Sequence, residues 1–162
     1  MSDLNKENLI KMLDELNIKY EIYTHSPMFT IEDSLEMNIP EGLVKNLFLR
    51  NDNGKKHYLV TICKEKTADL KQVRSEIGSS RLSFASEERL NKHLKLKKGS
   101  VTPLGVVNDS ENAVEVFFDE DMKNIEKIGV HPLENTATIF LSLDDLIKFI
   151  NHTGHTVKFI KI

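Results

Sequence analysis

Two runs rich in β-formers, Lys45-Asn46-Leu47-Phe48-Leu49-Arg50 and His57-Tyr58-Leu59-Val60-Thr61-Ile62, flank the loop Asn51-Asp52-Asn53-Gly54. The Asn-Gly step is a strong short-range hairpin signal, because Asn and Gly both tolerate the positive φ angles that reverse a strand. A lone hairpin is marginal in water, so a chain built on one must supply further strands or helices to cover it.

The rest of the sequence supplies both. Leu9, Met12, Leu13 and Leu16 recur at helical spacing among charged residues, with Asn5 or Asp3 as the cap. Tyr20-Glu21-Ile22-Tyr23 reads as a short strand, broken by His25-Ser26-Pro27. Thr30-Ile31-Glu32-Asp33 has the hydroxyl and acids of a helix start, and Pro40 with Gly42 ends that segment. Asp69 and Ser86 are placed to cap short helices through Ile77 and about Leu94. Gly99-Ser100-Val101-Thr102-Pro103-Leu104-Gly105 is a small-residue loop; Val106–Asn108 and Val114–Phe118 read as a strand pair turned near Asp109–Asn112. Thr136–Leu141 is a strand, Ser142 and Asp145 resemble a capping box, and Leu143, Leu146, Ile147 and Ile150 share one helical face. His155–Ile162 closes the chain as a strand. Strand pairs interrupted by short helices predict a mixed α/β (α+β) single domain over residues 1–162, with a largely antiparallel or mixed central sheet. No G-x-G-x-x-G or G-K-[ST] motif is present, so a doubly wound nucleotide fold is not expected.

Composition narrows the class. At 162 residues, 40% hydrophobic and 29% charged, the chain can bury a sizeable core and is not a disordered tail. No apolar run approaches the roughly 20 residues that span a bilayer, and the start Met1-Ser2-Asp3-Leu4-Asn5-Lys6-Glu7 has no signal-peptide character. A cytoplasmic protein with no membrane partner is the expectation. Lys and Arg number 22 against 25 Asp and Glu, a net charge of −3, which argues against a protein that coats DNA or RNA.

Few residues carry chemistry on their own. Cys63 is the sole cysteine; His57 lies on the same strand but about 20 Å away by strand rise, too far to serve as its base. The six histidines show no metal-ligand spacing, and His152 with His155 and Gly154 reads as a helix C-terminus. No metal and no cofactor are expected. Lys92, Lys95, Lys97 and Lys98 form the densest basic stretch, either a solvated face or a phosphate contact beside the loop from Gly99. Lys45 opens an apolar strand and is a candidate positioned cation. Gly129-Val130-His131-Pro132 holds a histidine between a permissive and a rigid residue, a loop of the kind that lines sites.

Taken in order, His25–Thr30, Lys45–Arg50, Asp69-Leu70-Lys71, Gly99–Gly105 (GSVTPLG), Gly129–Pro132 and Asn135–Thr138 resemble the YbaK/ProX family of aminoacyl-tRNA editing domains, and most closely its freestanding prolyl-tRNA editing members. The resemblance runs from about residue 5 to residue 160. It implies hydrolysis of the ester of mischarged tRNA(Pro), the second sieve needed because a proline pocket cannot strongly reject a smaller apolar group. Alanine is the implied amino acid; cysteine, serine, or a charged-tRNA binder without turnover are the alternatives. By position, Lys45 matches the lysine that engages the terminal adenosine and phosphate, and His131 the histidine that shapes the aminoacyl pocket, with Gly129 beside it. Thr30, Asn46, Ser100, Thr102, Gly105 and Pro132 are implied to line the same cleft, and Lys92, Lys95, Lys97 and Lys98 to meet tRNA. Leu133-Glu134 departs from the family pattern, which places an asparagine nearer the His-Pro. The implied chemistry is attack by a bound water, helped by backbone groups and the substrate's ribose hydroxyl. A net charge of −3 suits a protein that grips only the acceptor end of a tRNA, with room for prolyl-tRNA synthetase as a partner in selection.

Overall fold

The computed structural model describes residues 4–162. Helix α1 (Lys6–Glu15) is capped by Asn5, whose side-chain oxygen accepts from the Asn8 backbone N–H at 3.0 Å; the alternative cap, Asp3, lies outside the described residues. Strand β1 (Glu21–Thr24) and helix α2 (Ile31–Glu36) follow. Thr30 and Asp33 close α2 with a reciprocal capping box, each side chain accepting from the other's backbone N–H.

The Asn-Gly hairpin forms as expected. Strands β2 (Val44–Arg50) and β3 (His57–Cys63) pair antiparallel from Val44↔Cys63 to Arg50↔His57. Between them Gly54 takes φ +70°, and the Asn51 side chain accepts from the Lys56 N–H. Next come helix α3 (Leu70–Ile77), the short edge strand β4 (Ser83–Phe84) and helix α4 (Glu87–Leu94), the helices capped by Asp69 and Ser86. The last third holds β5 (Val114–Asp119), β6 (Ile128–Val130), β7 (Ala137–Leu141), α5 (Leu143–His152) and β8 (Val157–Ile160).

The mixed α/β expectation holds, with the strands divided between two sheets. Five strands run in the order β4-β2-β3-β5-β8, antiparallel on the β2 side and parallel for β3-β5-β8. Three form an antiparallel sheet in the order β1-β7-β6. Every residue of β3 is buried, because the larger sheet is covered on both faces. Phe48, Leu59, Val116 and Phe118 belong to the main core with α1, α4 and α5, while Leu49, Tyr58, Val60 and Ile62 face α3 through Val73.

One expected strand is absent. Residues Pro103–Asn108 form a 3-10 helix instead of pairing with β5. Thr102 caps it, Pro103 occupies its first turn, and Gly105 packs so closely on Leu96 that a Cβ there would lie 2.7 Å from Leu96 Cδ1. Strand β5 pairs with β3 and β8.

The two sheets meet at a seam where Leu43 bridges Gly129 and the Gly129 N–H donates to the Gly42 carbonyl at 2.9 Å. Both glycines are needed there. Gly42 has φ +123°, and a Cβ on it would lie 2.1 Å from the Lys127 carbonyl oxygen. A Cβ on Gly129 would lie 2.6 Å from Phe140 Cε1.

Candidate functional site

Beside this seam opens a cavity of about 550 Å³. Strand β2 contributes Val44, Lys45, Asn46 and Leu47, at the end where β4 does not pair with it, so this stretch of strand edge borders the cavity. The smaller sheet contributes Gly129, Val130 and His131 from β6 and the residue after it, and Thr138 from β7. The segment before α2 adds Met28, Phe29 and Thr30, and the loop after α4 adds Lys98, Gly99 and Val101. Among the described residues none that lines the cavity is acidic, so the site presents two cations, Lys45 and Lys98, against an apolar floor that includes Met28, Leu43 and Val130.

His131 is held in one tautomer. Its Nδ1 lies 2.9 Å from the Ala137 carbonyl oxygen, which can only accept, so Nδ1 carries the proton and Nε2 is left as an acceptor. Burial lowers its pKa, with the nearby His25 adding to the effect against the Ala137 hydrogen bond, so the ring is neutral near pH 7. The two imidazole centroids are 6.2 Å apart. His25 Nδ1 donates to the Ser26 carbonyl at 2.7 Å, and its Nε2 is hydrogen-bonded to the Thr138 hydroxyl at 2.8 Å. This bond fixes the Thr138 hydroxyl at the cavity wall. His25 and Thr138 did not stand out as site residues in the sequence, although both lie in segments that carry the family resemblance: His25 reads as part of a chain break, and Thr138 as a polar residue inside the apolar strand Ala137–Leu141.

Lys45 reaches across to the loop after β3, where its ammonium donates to the Lys66 carbonyl at 2.6 Å. An ammonium has three donors, so two remain for a ligand. Asn46 points its amide oxygen at the Thr61 hydroxyl, 2.7 Å away, and so is oriented from β3. Asn135 clamps the Met28 backbone from both sides, accepting from its N–H at 3.1 Å and donating to its carbonyl at 2.5 Å. That clamp holds the Met28–Thr30 segment against the loop after His131.

Thus Lys45, Asn46, Thr30, Gly129 and His131 come together in one cavity. Ser100, Thr102, Gly105 and Pro132 do not line it. Ser100 is buried and donates to the Lys97 carbonyl, Thr102 is consumed as a helix cap, and Gly105 and Pro132 are buried in the packing behind. The GSVTPLG loop therefore meets the cavity through Gly99 and Val101, where Gly99 leaves space for the Phe29 ring. Of the basic stretch, only Lys98 lines this cavity; Lys92 lies on α4 beside another cleft, and Lys95 and Lys97 are exposed elsewhere. Cys63 is buried beside Asp119, its thiol pushed up to about 12 chiefly by burial, and it takes no part in the site. Among the described residues no cluster of three or more His, Cys, Asp or Glu could hold a metal ion, and no helix is long and apolar enough to cross a membrane.

Residues 25–149 match the aminoacyl-tRNA editing domain family. The chain is 46% identical over 159 residues to the prolyl-tRNA editing protein ProX of Acetoanaerobium sticklandii, covering 97% of each protein. It is 32% identical to the prolyl-tRNA synthetase associated domain-containing protein 1 of Mus musculus, covering 95% of this chain and 94% of that one. Among solved structures, one described as a candidate trans-editing enzyme for prolyl tRNA synthetase superposes with a TM-score of 0.71 at 19% identity, covering 99% of both chains, and shares the fold. On the family match and the 46% identity along nearly its whole length, this chain belongs to the aminoacyl-tRNA editing domain family.

Proposed function

We propose that the chain is a trans-editing hydrolase of mischarged tRNA(Pro), with Ala-tRNA(Pro) as its main substrate. The observation that carries this reading is the single cavity that gathers Lys45, Asn46 and Thr30 with His131 over a floor of Met28, Leu43 and Val130. The terminal adenosine and its phosphate sit toward the Lys45 ammonium and the open edge of β2. The aminoacyl group sits toward the apolar floor, where a methyl side chain fits beside His131 and the bulkier prolyl ring is excluded. The relative from Acetoanaerobium sticklandii carries prolyl-tRNA editing in its name, which supports the choice of tRNA.

In this reading a water attacks the ester carbonyl carbon, the bond from that carbon to the ribose oxygen breaks, and the ribose hydroxyl leaves with a proton. His131 Nε2, free as an acceptor, orients the attacking water, and the substrate's neighbouring ribose hydroxyl and cavity-wall N–H groups stabilise the developing oxyanion. Prolyl-tRNA synthetase is the proposed working partner, in line with the name of the Mus musculus relative, and the cytoplasm the proposed compartment.

A deacylation panel of Ala-, Cys-, Ser- and Pro-tRNA(Pro) tests this. The expected result is fastest release of alanine with Pro-tRNA(Pro) intact. Lys45→Ala should lower kcat/KM by about 10- to 100-fold, the worth of a hydrogen bond to a charged group. Fastest release of cysteine or serine would reassign the substrate. No hydrolysis of any ester would leave the chain a binder.

A further inference from the structure

The candidate cavity does not end at Lys98. A second depression of about 410 Å³ shares Asn46, Lys98 and Val101 with it and continues along Phe48, Phe84 and Ala85 to Ser86. At Ser86 it meets a third cleft of about 390 Å³, bordered by Lys55, His57, Arg89, Lys92 and His93. The three form one track along the β2 edge and past β4, from the seam of the sheets to the β2–β3 turn.

The two ends and the middle of the track differ in chemistry. In the middle, Phe84 is 60% exposed on an edge strand, one of four large apolar side chains left open to solvent among the described residues. A Phe in this position has no core to fill. At the far end the cations crowd together. Arg89 donates to the Gly54 carbonyl at 3.0 Å and lies 3.1 Å from His57 Nε2, so the ring nitrogen accepts from it. Arg50 approaches the same turn: a Cβ on Gly54 would lie 3.0 Å from Arg50 Nη1 and 2.8 Å from Arg89 Nη2. The His57 and His93 rings lie in contact, with centroids 4.1 Å apart and planes tilted by 42°. Burial, then the repulsion between the two rings if both were charged, and then the charges of Arg89, Lys92 and Arg50 depress His57 to about 4. Burial and then Lys92 lower His93 as well, so the pair stays uncharged while the arginines and lysines set the field. Among the described residues, Glu88 is the only acidic one lining this cleft, and Glu87 is the only one lining the middle depression.

An exposed aromatic between a nucleotide-sized cavity and a cationic cleft is the arrangement that holds single-stranded nucleic acid, with bases stacked on the ring and phosphates neutralised beyond it. We propose that this track carries the unpaired 3′ strand of the tRNA: a base stacks on Phe84, and Arg50, Arg89 and Lys92 meet the phosphates where the strand joins the acceptor stem. The inference rests on the reading of the cavity as the aminoacyl-adenosine site, and it divides the basic stretch. Lys92 and Lys98 border the track; Lys95 and Lys97 do not.

The test uses an uncharged, fluorophore-labelled RNA hairpin ending in an unpaired four-nucleotide 3′ overhang, with binding to the full chain read by anisotropy across a salt series. Phe84→Ala is expected to weaken binding by about 5- to 100-fold, with Phe84→Tyr restoring it, since stacking is worth about 1–3 kcal/mol per base. Lys92→Ala should weaken binding and reduce the slope of log affinity against log salt by about 1. Lys97→Ala, at a position also exposed in the same stretch, should do neither. A blunt hairpin without the overhang should lose the Phe84 effect and keep the Lys92 effect. Wild-type affinity in Phe84→Ala, or equal effects of Lys92→Ala and Lys97→Ala, would overturn the track. Because the RNA carries no amino acid, the outcome is separate from the deacylation panel. Track variants that weaken RNA binding in a protein that hydrolyses no ester would uphold the track and sink the hydrolase reading; turnover with unaffected track variants would do the reverse.

Discussion

At the scale of single residues, the site depends on one histidine, His131, kept neutral by its surroundings. His131 spends its one N–H on the Ala137 carbonyl, so the chemistry available to a ligand is the lone pair of Nε2. That lone pair exists only while the ring is uncharged, and burial followed by the neighbouring His25 ring keeps it so by lowering the pKa. An imidazole NMR titration of the folded chain should place His131 below the ordinary value of about 6.5, in the Nδ1–H tautomer. Protonation then occurs on the acid side of neutrality, and Nε2 is open through the physiological range. A midpoint above 6.5, or an Nε2–H tautomer, would remove His131 as an acceptor for water. Sequence reading found His131 because Gly129 and Pro132 bracket it, and missed His25 and Thr138 because their bond joins residues 113 positions apart.

At the scale of elements, the cavity exists because two sheets approach closely at Gly42 and Gly129. The Gly129 N–H is hydrogen-bonded to the Gly42 carbonyl and its α-carbon faces the Phe140 ring and Leu43, so there is no space for a methyl group. Gly129→Ala is expected to cost about 1–3 kcal/mol in chemical denaturation, the usual range for overpacking. Gly42→Ala should cost more, because its positive φ adds strain and the obstacle is a backbone carbonyl that cannot rotate away. Phe140→Leu should recover part of the Gly129→Ala loss, and wild-type stability in Gly129→Ala would refute the close seam. The sequence displayed the local half of this architecture. The caps Asn5, Thr30, Asp69, Ser86 and Ser142 all form, and the Asn-Gly hairpin holds its register, since caps and tight turns are written in residues a few positions apart. It did not display the parallel pairing of β5 with β3 and β8, which is set by packing of distant segments. It also suggested a strand at Val106–Asn108 because apolar runs of that length fit either state, although Thr102-Pro103 carried the cap and first-turn proline of a helix. For the site, a glycine-framed histidine and a strand-opening lysine were legible; the burial of Ser100, Thr102 and Gly105 was not, because a loop sequence does not say which side faces the cavity.

At the scale of the whole molecule, the larger sheet depends on β5, which lies between β3 and β8 and has a buried carboxylate at each end. At its start Asp109 accepts from the Ala113 and Val114 N–H groups and from His155 Nε2 at 2.8 Å, joining the turn before β5 to the turn after α5. At its finish Asp119 accepts from the Cys63 N–H and from the Lys66 ammonium, joining β5 to the end of β3. Burial pushes both carboxyls up, but their hydrogen bonds win and hold both below the usual range: those from His155, Ala113 and Val114 for Asp109, and those from Lys66 and backbone N–H groups for Asp119. A carboxyl whose pKa is lower folded than unfolded stabilises the fold fully above the unfolded value of about 3.9, and that contribution drains away as the pH falls through the folded value. The chain should therefore lose stability steeply below about pH 4, with little change between pH 6 and 8 from these groups. Asp109→Asn and Asp119→Asn should each cost about 1–3 kcal/mol at pH 7, since each replaces a buried carboxylate that accepts several hydrogen bonds, from Ala113, Val114 and His155 in one case and from the Cys63 N–H and the half-buried Lys66 ammonium in the other. In urea titrations at pH 7, 5, 4 and 3, the gap between wild type and either variant should narrow as the wild-type carboxyl is itself protonated. A gap that stays constant to pH 3 would mean that the carboxylates hold β5 by shape alone, and that the charge at its two ends contributes nothing to holding the sheet together.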